Sequence, residues 1–132
     1  MKLHHIGIEV RSIDLQASRC AARFGWRPAS DVVHDPIQRA DVQFWTDGSV
    51  SYEFIQPAGE DSPVRRALKT GGGLAHLCFE VGDIHAAVND AERQGAIVVC
   101  SPVPAVAFDQ RPIAFLFFRG LGLVEFVEEP RQ

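Results

Sequence analysis

The sequence has no excess of basic residues, no long apolar run and no paired cysteine spacing. Its 13 Lys and Arg residues against 17 Asp and Glu residues give a formal net charge of −4, which argues against a nucleic-acid partner. The apolar runs are far shorter than the ~20 residues that a membrane-spanning helix needs, so we expect no membrane association. The three cysteines are odd in number and lack C-x-x-C spacing, so we expect free thiols.

The remaining composition is ordinary for a globular protein. Of the 132 residues, 46% are hydrophobic and 23% are charged. A chain of this length buries roughly two-thirds of its unfolded surface, so we expect one domain over residues 1–132. The N-terminus has no long apolar core of the signal-peptide kind, which predicts a cytoplasmic protein.

Two short phrases occur twice in the chain. Leu3–Val10 (LHHIGIEV) returns as Leu74–Val81 (LAHLCFEV), and Tyr52–Ile55 (YEFI) returns as Val124–Val127 (VEFV). Each half therefore carries one histidine early and one glutamate late. The repetition predicts two similar modules, about 1–57 and about 74–128, joined by a connector over 58–73.

Apolar alternation and capping residues predict the order β-α-β-β-β in each module. The connector is expected to hold a short helix over 64–69. The predicted fold class is α+β, with two tandem modules forming a pseudo-two-fold curved mixed sheet around a central site. The predicted strands cover 3–10, 27–33, 40–46 and 50–56 in the first module, and 74–81, 97–100, 113–118 and 121–128 in the second. The predicted helices lie between Ser12 and Gly25 and between Asp83 and Gly95, and residues 102–111 are predicted to form a proline-rich loop.

The doubled positions are candidate metal ligands: His5, Glu53, His76 and Glu125. Two imidazole nitrogens with two carboxylate oxygens suit a divalent ion such as Zn, Co, Mn, Ni or Fe. Four protein ligands leave open positions on an octahedral ion for water or a substrate oxygen. Taken alone, a histidine in a strand is more often a packed or exposed side chain than a ligand. A buried unpaired carboxylate, however, costs several kcal/mol and is rarely kept without a partner.

Further polar residues are weaker candidates. Asp41 and Gln43 lie on the third predicted strand, and the strand register decides which of them faces the site. We include Gln43 with Glu53 and Glu125 as candidate catalytic residues. Glu80, like its repeat partner in the first module, is either a base or, more simply, half of a salt bridge at a strand end.

The doubled module resembles the vicinal oxygen chelate superfamily, which includes glyoxalase I, extradiol dioxygenases, bleomycin-binding proteins and methylmalonyl-CoA epimerase. The resemblance covers nearly the whole chain and is greatest to the methylmalonyl-CoA epimerase-like branch. The stretches that carry it beyond the first strand are EFIQP at 53–57, DSPV at 61–64, GGLAHLCFEV at 72–81 and GLVE at 122–125.

The resemblance implies that His5, Glu53, His76 and Glu125 bind a divalent metal ion. It implies an isomerase or epimerase that acts through a metal-chelated enediolate on a small acyl thioester such as methylmalonyl-CoA. A base would remove the α-proton on one face and an acid would return it on the other. The resemblance also implies a small-molecule substrate such as a CoA thioester, no nucleic-acid or membrane partner, and a homodimer.

The chain departs from the epimerase pattern at several positions. Ala75 stands where the epimerases have a first of two histidines, and 107–111 (AFDQR) replaces a glycine-rich loop. The alternatives are a glyoxalase-type lyase or a dioxygenase on the same site, or a metal-free module that sequesters a small molecule. Glu53 speaks against the dioxygenase, because it supplies a fourth protein ligand where that class uses three.

Overall fold

The computed structural model describes residues 1–131, which fall into two compact units. The N-terminal unit is His5–Ala75, and the C-terminal unit is Met1–His4 together with the chain from His76 onward. The described residues form nine strands and three α-helices. Each unit pairs strands in both the parallel and the antiparallel sense. The predicted α+β class is therefore confirmed.

The N-terminal unit is built on a parallel pair of strands. Its elements are β1 (Lys2–Glu9, whose first residues belong to the other unit), α1 (Ile13–Phe24), β2 (Arg27–Pro28), β3 (Val33–Asp35), β4 (Ala40–Thr46), β5 (Ser51–Pro57) and α2 (Val64–Lys69). Strands β1 and β5 run parallel with Gly7 opposite Glu53, and β4 lies antiparallel to β5 with Phe44 opposite Glu53. Strands β2 and β3 both pair with β4.

Local sequence signals place α1 between two caps. The Ser12 side chain accepts a hydrogen bond from the Leu15 N–H, and Gly25 ends the helix in the left-handed conformation at φ 72°. The buried face of the helix packs against Phe54 on β5 and against Val10, the residue that follows β1. This core occupies one face of the β1–β5 pair, so side chains of opposite parity on those strands point to the other face.

A side-chain cap also forms the turn between β4 and β5. Asp47 Oδ1 accepts hydrogen bonds from the backbone N–H groups of Val50, at 2.7 Å, and Ser49, at 2.8 Å. These two bonds hold the pKa of the Asp47 carboxyl below its ordinary value. Asp47 and Gly48, which lie between the strands predicted over 40–46 and 50–56, thus form the turn of a hairpin, with Gly48 at φ 99°.

The C-terminal unit repeats the arrangement. Its elements are β6 (Gly73–Val81), α3 (Ile84–Arg93), β7 (Ile97–Ala105), a 3₁₀ turn (Val106–Phe108), β8 (Arg111–Phe118) and β9 (Gly122–Glu128). Strands β6 and β9 run parallel with Cys78 opposite Glu125, and β8 lies antiparallel to β9 with Phe115 opposite Glu125. Strand β7 pairs with β8, and α3 packs its apolar face on the core through Ile84.

Two predicted elements are wrong in extent. The strand predicted over 27–33 is only Arg27–Pro28, and Val33–Asp35 forms a separate strand. The proline-rich stretch predicted as a loop instead continues β7 through Pro102 and Pro104. Prolines are tolerated there because β7 has two register irregularities and, among residues 1–131, pairs with β8 alone.

Within residues 1–131 the three cysteines form no disulfide, and Cys20 and Cys78 are buried. In the described part of the chain, no helix is long and apolar enough to cross a membrane.

Gly72 presses against the end of β1 and provides a test of the packing. Its φ is +65°, and an added Cβ atom would lie 2.8 Å from the Glu9 carbonyl oxygen and 2.9 Å from Leu68 Cδ2. Gly25 has a similar φ of +72° but nothing within 4 Å of an added Cβ atom. We expect Gly25→Ala to lower the free energy of unfolding by about 1 kcal/mol, the cost of left-handed backbone. Gly72→Ala should lose a further ~1–3 kcal/mol to the clash.

Urea unfolding of the two alanine variants beside the wild type measures both losses. Equal losses would contradict the close approach of Gly72 to β1.

Candidate metal centre

The N-terminal unit buries a histidine beside a glutamate. His5 lies on β1 two residues before Gly7, which is opposite Glu53 on β5. Residues two apart on a strand share a face, so the His5 and Glu53 side chains both lie on the sheet face away from α1. His5 Nε2 is 3.3 Å from Glu53 Oε1, and the two side chains are 0% and 7% exposed. The parallel pairing of β1 and β5 thus brings together two predicted site residues that are far apart in sequence.

The C-terminal unit holds a second pair with the same construction. His76 lies on β6 two residues before Cys78, which is opposite Glu125 on β9. His76 Nε2 is 3.1 Å from Glu125 Oε1, and both side chains are 3% exposed. Each unit therefore places one imidazole beside one carboxylate.

Each pair also has a phenylalanine beside it. Phe44 lies opposite Glu53 on the antiparallel neighbour and meets the His5 ring edge to face, with centroids 5.2 Å apart. Phe115 stands in the same relation to Glu125 and to the His76 ring, at 5.3 Å. Sequence reasoning missed this repeat, although extending the comparison of the two modules beyond His and Glu would have found it.

The donor atoms fit a divalent metal ion. Two ligand atoms held at about 2.1 Å from one ion, with about 90–110° between the bonds, lie about 3.0–3.4 Å apart. The separations of 3.3 Å and 3.1 Å fall in this range. A divalent ion would also balance the charge of a buried carboxylate, which is costly to keep away from water. Each pair therefore has the atoms, spacing and burial that two neighbouring ligands require.

Gln43 and Asp41 are not brought to the His5–Glu53 pair. Gln43 lies opposite Phe54, on the face that packs against α1, one residue out of phase with Phe44. Its amide accepts a hydrogen bond from Trp45 Nε1 and donates one to the Ser30 carbonyl. Asp41 is 2.8 Å from the exposed His34 ring. We therefore leave Gln43 out of the proposed chemistry.

Glu80, four residues after His76 on β6, forms an ion pair with Arg111. The Arg111 Nη1 atom is 3.6 Å from Glu80 Oε2 and donates a hydrogen bond to the Glu128 carbonyl at 2.8 Å. The guanidinium also lies over the Phe108 ring, 5.5 Å from its centroid. The simpler prediction for Glu80, a salt bridge at a strand end, is the one that the structure shows.

The chain is also similar in sequence to known proteins. The family model of the Glyoxalase/Bleomycin resistance protein/Dioxygenase superfamily matches residues 4–115. The ethylmalonyl-CoA/methylmalonyl-CoA epimerase of Cereibacter sphaeroides is 30% identical over 117 residues, which cover 87% of each chain. Both observations concern sequence, and both extend over most of the protein.

Solved structures show the same fold. A hypothetical protein from Bacillus halodurans C-125 has a TM-score of 0.86 and 27% identity, covering 99% of this chain and 96% of that chain. The methylmalonyl-CoA epimerase from Mycobacterium tuberculosis has a TM-score of 0.83 and 23% identity, covering 98% and 89%. The second likeness is to the fold alone. The chain belongs to the glyoxalase/bleomycin resistance/dioxygenase superfamily, in its methylmalonyl-CoA epimerase-like branch.

Proposed function

We propose that this protein is a metal-dependent epimerase that inverts the α-carbon of a small acyl-CoA thioester, with methylmalonyl-CoA as the first substrate to test. The observation that carries the proposal is the buried His–Glu pair, present once in each unit with the same strand register. The relative from Cereibacter sphaeroides, named as an ethylmalonyl-CoA/methylmalonyl-CoA epimerase, supports the substrate class.

The proposed ligands of one divalent ion are His5, Glu53, His76 and Glu125. Two nitrogen and two oxygen donors suit Co, Mn, Ni, Zn or Fe, and the donor set does not select among them. The low exposure of all four side chains supports this role, because buried carboxylates and imidazoles need a compensating charge or hydrogen bond.

When bound, the ion would polarise substrate oxygens and so lower the pKa of the adjacent α C–H group. Glu53 and Glu125 are the carboxylates that we propose for the proton transfers. One carboxylate accepts the α-proton, and the other returns a proton to the opposite face of the same carbon. The α C–H bond that breaks is replaced by a new one, so the inversion needs no oxidant, reductant or further reactant.

The chain's own residues shape this chemistry in two further ways. His5 and His76 would act as neutral ligands, so the positive charge of the ion is not reduced by them. Phe44 and Phe115 border the two pairs with apolar surface. Low polarity there strengthens the attraction between a cation and developing negative charge on the substrate.

A homodimer and a cytoplasmic location stay predictions. Neither enters the proposed chemistry.

The metal site is tested by metal content. We expect about one divalent ion per chain in wild-type protein purified without chelator or added metal, because the proposed ligand set binds a single ion. His76→Ala should lose most of it, and His85→Ala should keep it because His85 is exposed on α3. Elemental analysis by mass spectrometry measures the stoichiometry of all three proteins.

Wild-type protein that holds no metal, and acquires none from added Co or Mn salts, would refute the metal site. That result would favour the metal-free binding module.

The reaction class is tested by solvent exchange. Metal-loaded wild type in D₂O should place deuterium at the α-carbon of methylmalonyl-CoA, which proton NMR detects as loss of the α-proton signal. Glu53→Gln and Glu125→Gln should each slow the exchange by roughly 10²–10⁴-fold, the usual contribution of a general acid or base. Glu80→Gln is the matched control, since Glu80 pairs with Arg111.

Metal content is measured for each glutamine variant alongside the exchange rate. A variant that keeps its metal but loses exchange separates proton transfer from ligation. Absence of exchange in metal-loaded wild type would overturn methylmalonyl-CoA as the substrate.

A further inference from the structure

Each histidine–glutamate pair has a phenylalanine as a third member. In each unit the glutamate lies between two strands: one parallel strand that bears the histidine and one antiparallel strand that bears a phenylalanine. Phe44 meets His5 at an interplanar angle of 75°, and Phe115 meets His76 at 84°. The two contacts differ by 0.1 Å in centroid distance (5.2 Å and 5.3 Å).

Burial differs between the members of each contact. His5 and His76 are buried, whereas Phe44 and Phe115 are only half-buried. Each phenylalanine ring therefore packs against a buried imidazole and is itself partly accessible to solvent. A ring in this position limits rotation of the imidazole, because protein interiors leave little free volume around a packed side chain.

Rotation of the imidazole matters for metal binding. A half-turn about the Cβ–Cγ bond exchanges Nε2 with a carbon atom, and the torsion itself has only a weak two-fold preference. The neighbours of the ring thus decide whether Nε2 or a carbon faces the glutamate. In both units it is Nε2 that faces the glutamate, at 3.3 Å and 3.1 Å.

We propose that Phe44 and Phe115 are positioning residues that hold the imidazoles of His5 and His76 with Nε2 toward Glu53 and Glu125. The consequence for metal affinity rests on the proposed function. The positioning itself is a property of the metal-free chain, so it is open to measurement whether or not the metal site is correct.

If Phe44 and Phe115 only packed the core, replacing either would affect the neighbouring histidine no more than replacing another phenylalanine of the same unit. Phe118 is also half-buried on β8, and it packs against Phe126 and the hydrophobic core. Replacing Phe118 by leucine removes aromatic packing without touching the His76 contact. It is therefore the matched control for Phe115→Leu.

The first experiment measures Co(II) affinity by titration, with the visible absorption spectrum as a second readout of ligand geometry. Phe115→Leu should weaken Co(II) binding by about 10–100-fold, the usual effect of losing a group that orients a metal-binding histidine. Phe115→Tyr keeps the ring and should restore affinity to within a few-fold of wild type. Phe118→Leu should bind Co(II) as the wild type does, even if it is less stable.

The second experiment observes the imidazole nitrogens of metal-free protein by long-range ¹H–¹⁵N NMR at one pH. Wild type and Phe118→Leu should each give a single sharp set of His76 signals, because one ring orientation is held. Phe115→Leu should give broadened or doubled His76 signals, and Phe115→Tyr should recover the single set. The Phe44→Leu variant should affect His5 in the same way.

The outcomes separate the two proposals. Wild type that binds no Co(II) but shows the expected NMR pattern would overturn the metal site and keep the positioning role. Phe115→Leu with wild-type affinity and a single sharp His76 set would overturn the positioning role and leave the metal site standing. Equal losses in Phe115→Leu and Phe118→Leu would assign both residues to packing alone and would likewise overturn it.

Discussion

Burial of a carboxylate beside an imidazole is the interaction on which the organisation of each unit depends. A glutamate inside a strand that otherwise packs an apolar core is expensive unless a partner meets it. Parallel strand pairing provides this partner, because it places Glu53 beside the strand that bears His5 and Glu125 beside the strand that bears His76. The helix after each first strand covers the opposite face with apolar side chains. One face of each strand pair is thus committed to packing and the other to the polar pair.

The two units are alike at the His–Glu pair and differ in the residues around it. The residue opposite the glutamate is Gly7 in one unit and Cys78 in the other. Arg111, with its ion pair to Glu80, corresponds in the repeat to Ala40, which is buried. The shared parts are those that set donor atoms and ring orientation. The differing parts give the two proposed proton-transfer groups unlike surroundings.

Much of this was predictable because it depends on local sequence. The caps Ser12, Gly25 and Asp83 bound the helices as predicted, and β4 has the predicted limits. Strand register was not predictable, because a shift by one residue exchanges the faces; Gln43 was therefore a candidate although its neighbour Phe44 is the residue beside His5. The extension of β7 through two prolines depends on its place at a sheet edge, where β8 is its one partner among residues 1–131. No local pattern carries this tertiary property. The phenylalanine contacts were hidden because aromatic residues are common in cores of every kind.

The parallel strand pairing has a consequence for the order of folding. In each unit the histidine lies on the first strand and the glutamate on the last, so every other strand of the module lies between them in sequence. Such a contact forms only after a long loop has closed, and the entropy of closure is lost before the contact is gained. A nascent or partly folded module consequently presents no assembled pair to a cation. Binding of an ion would then stabilise only chains whose modules have already closed, and it would not stabilise chains whose modules are still open.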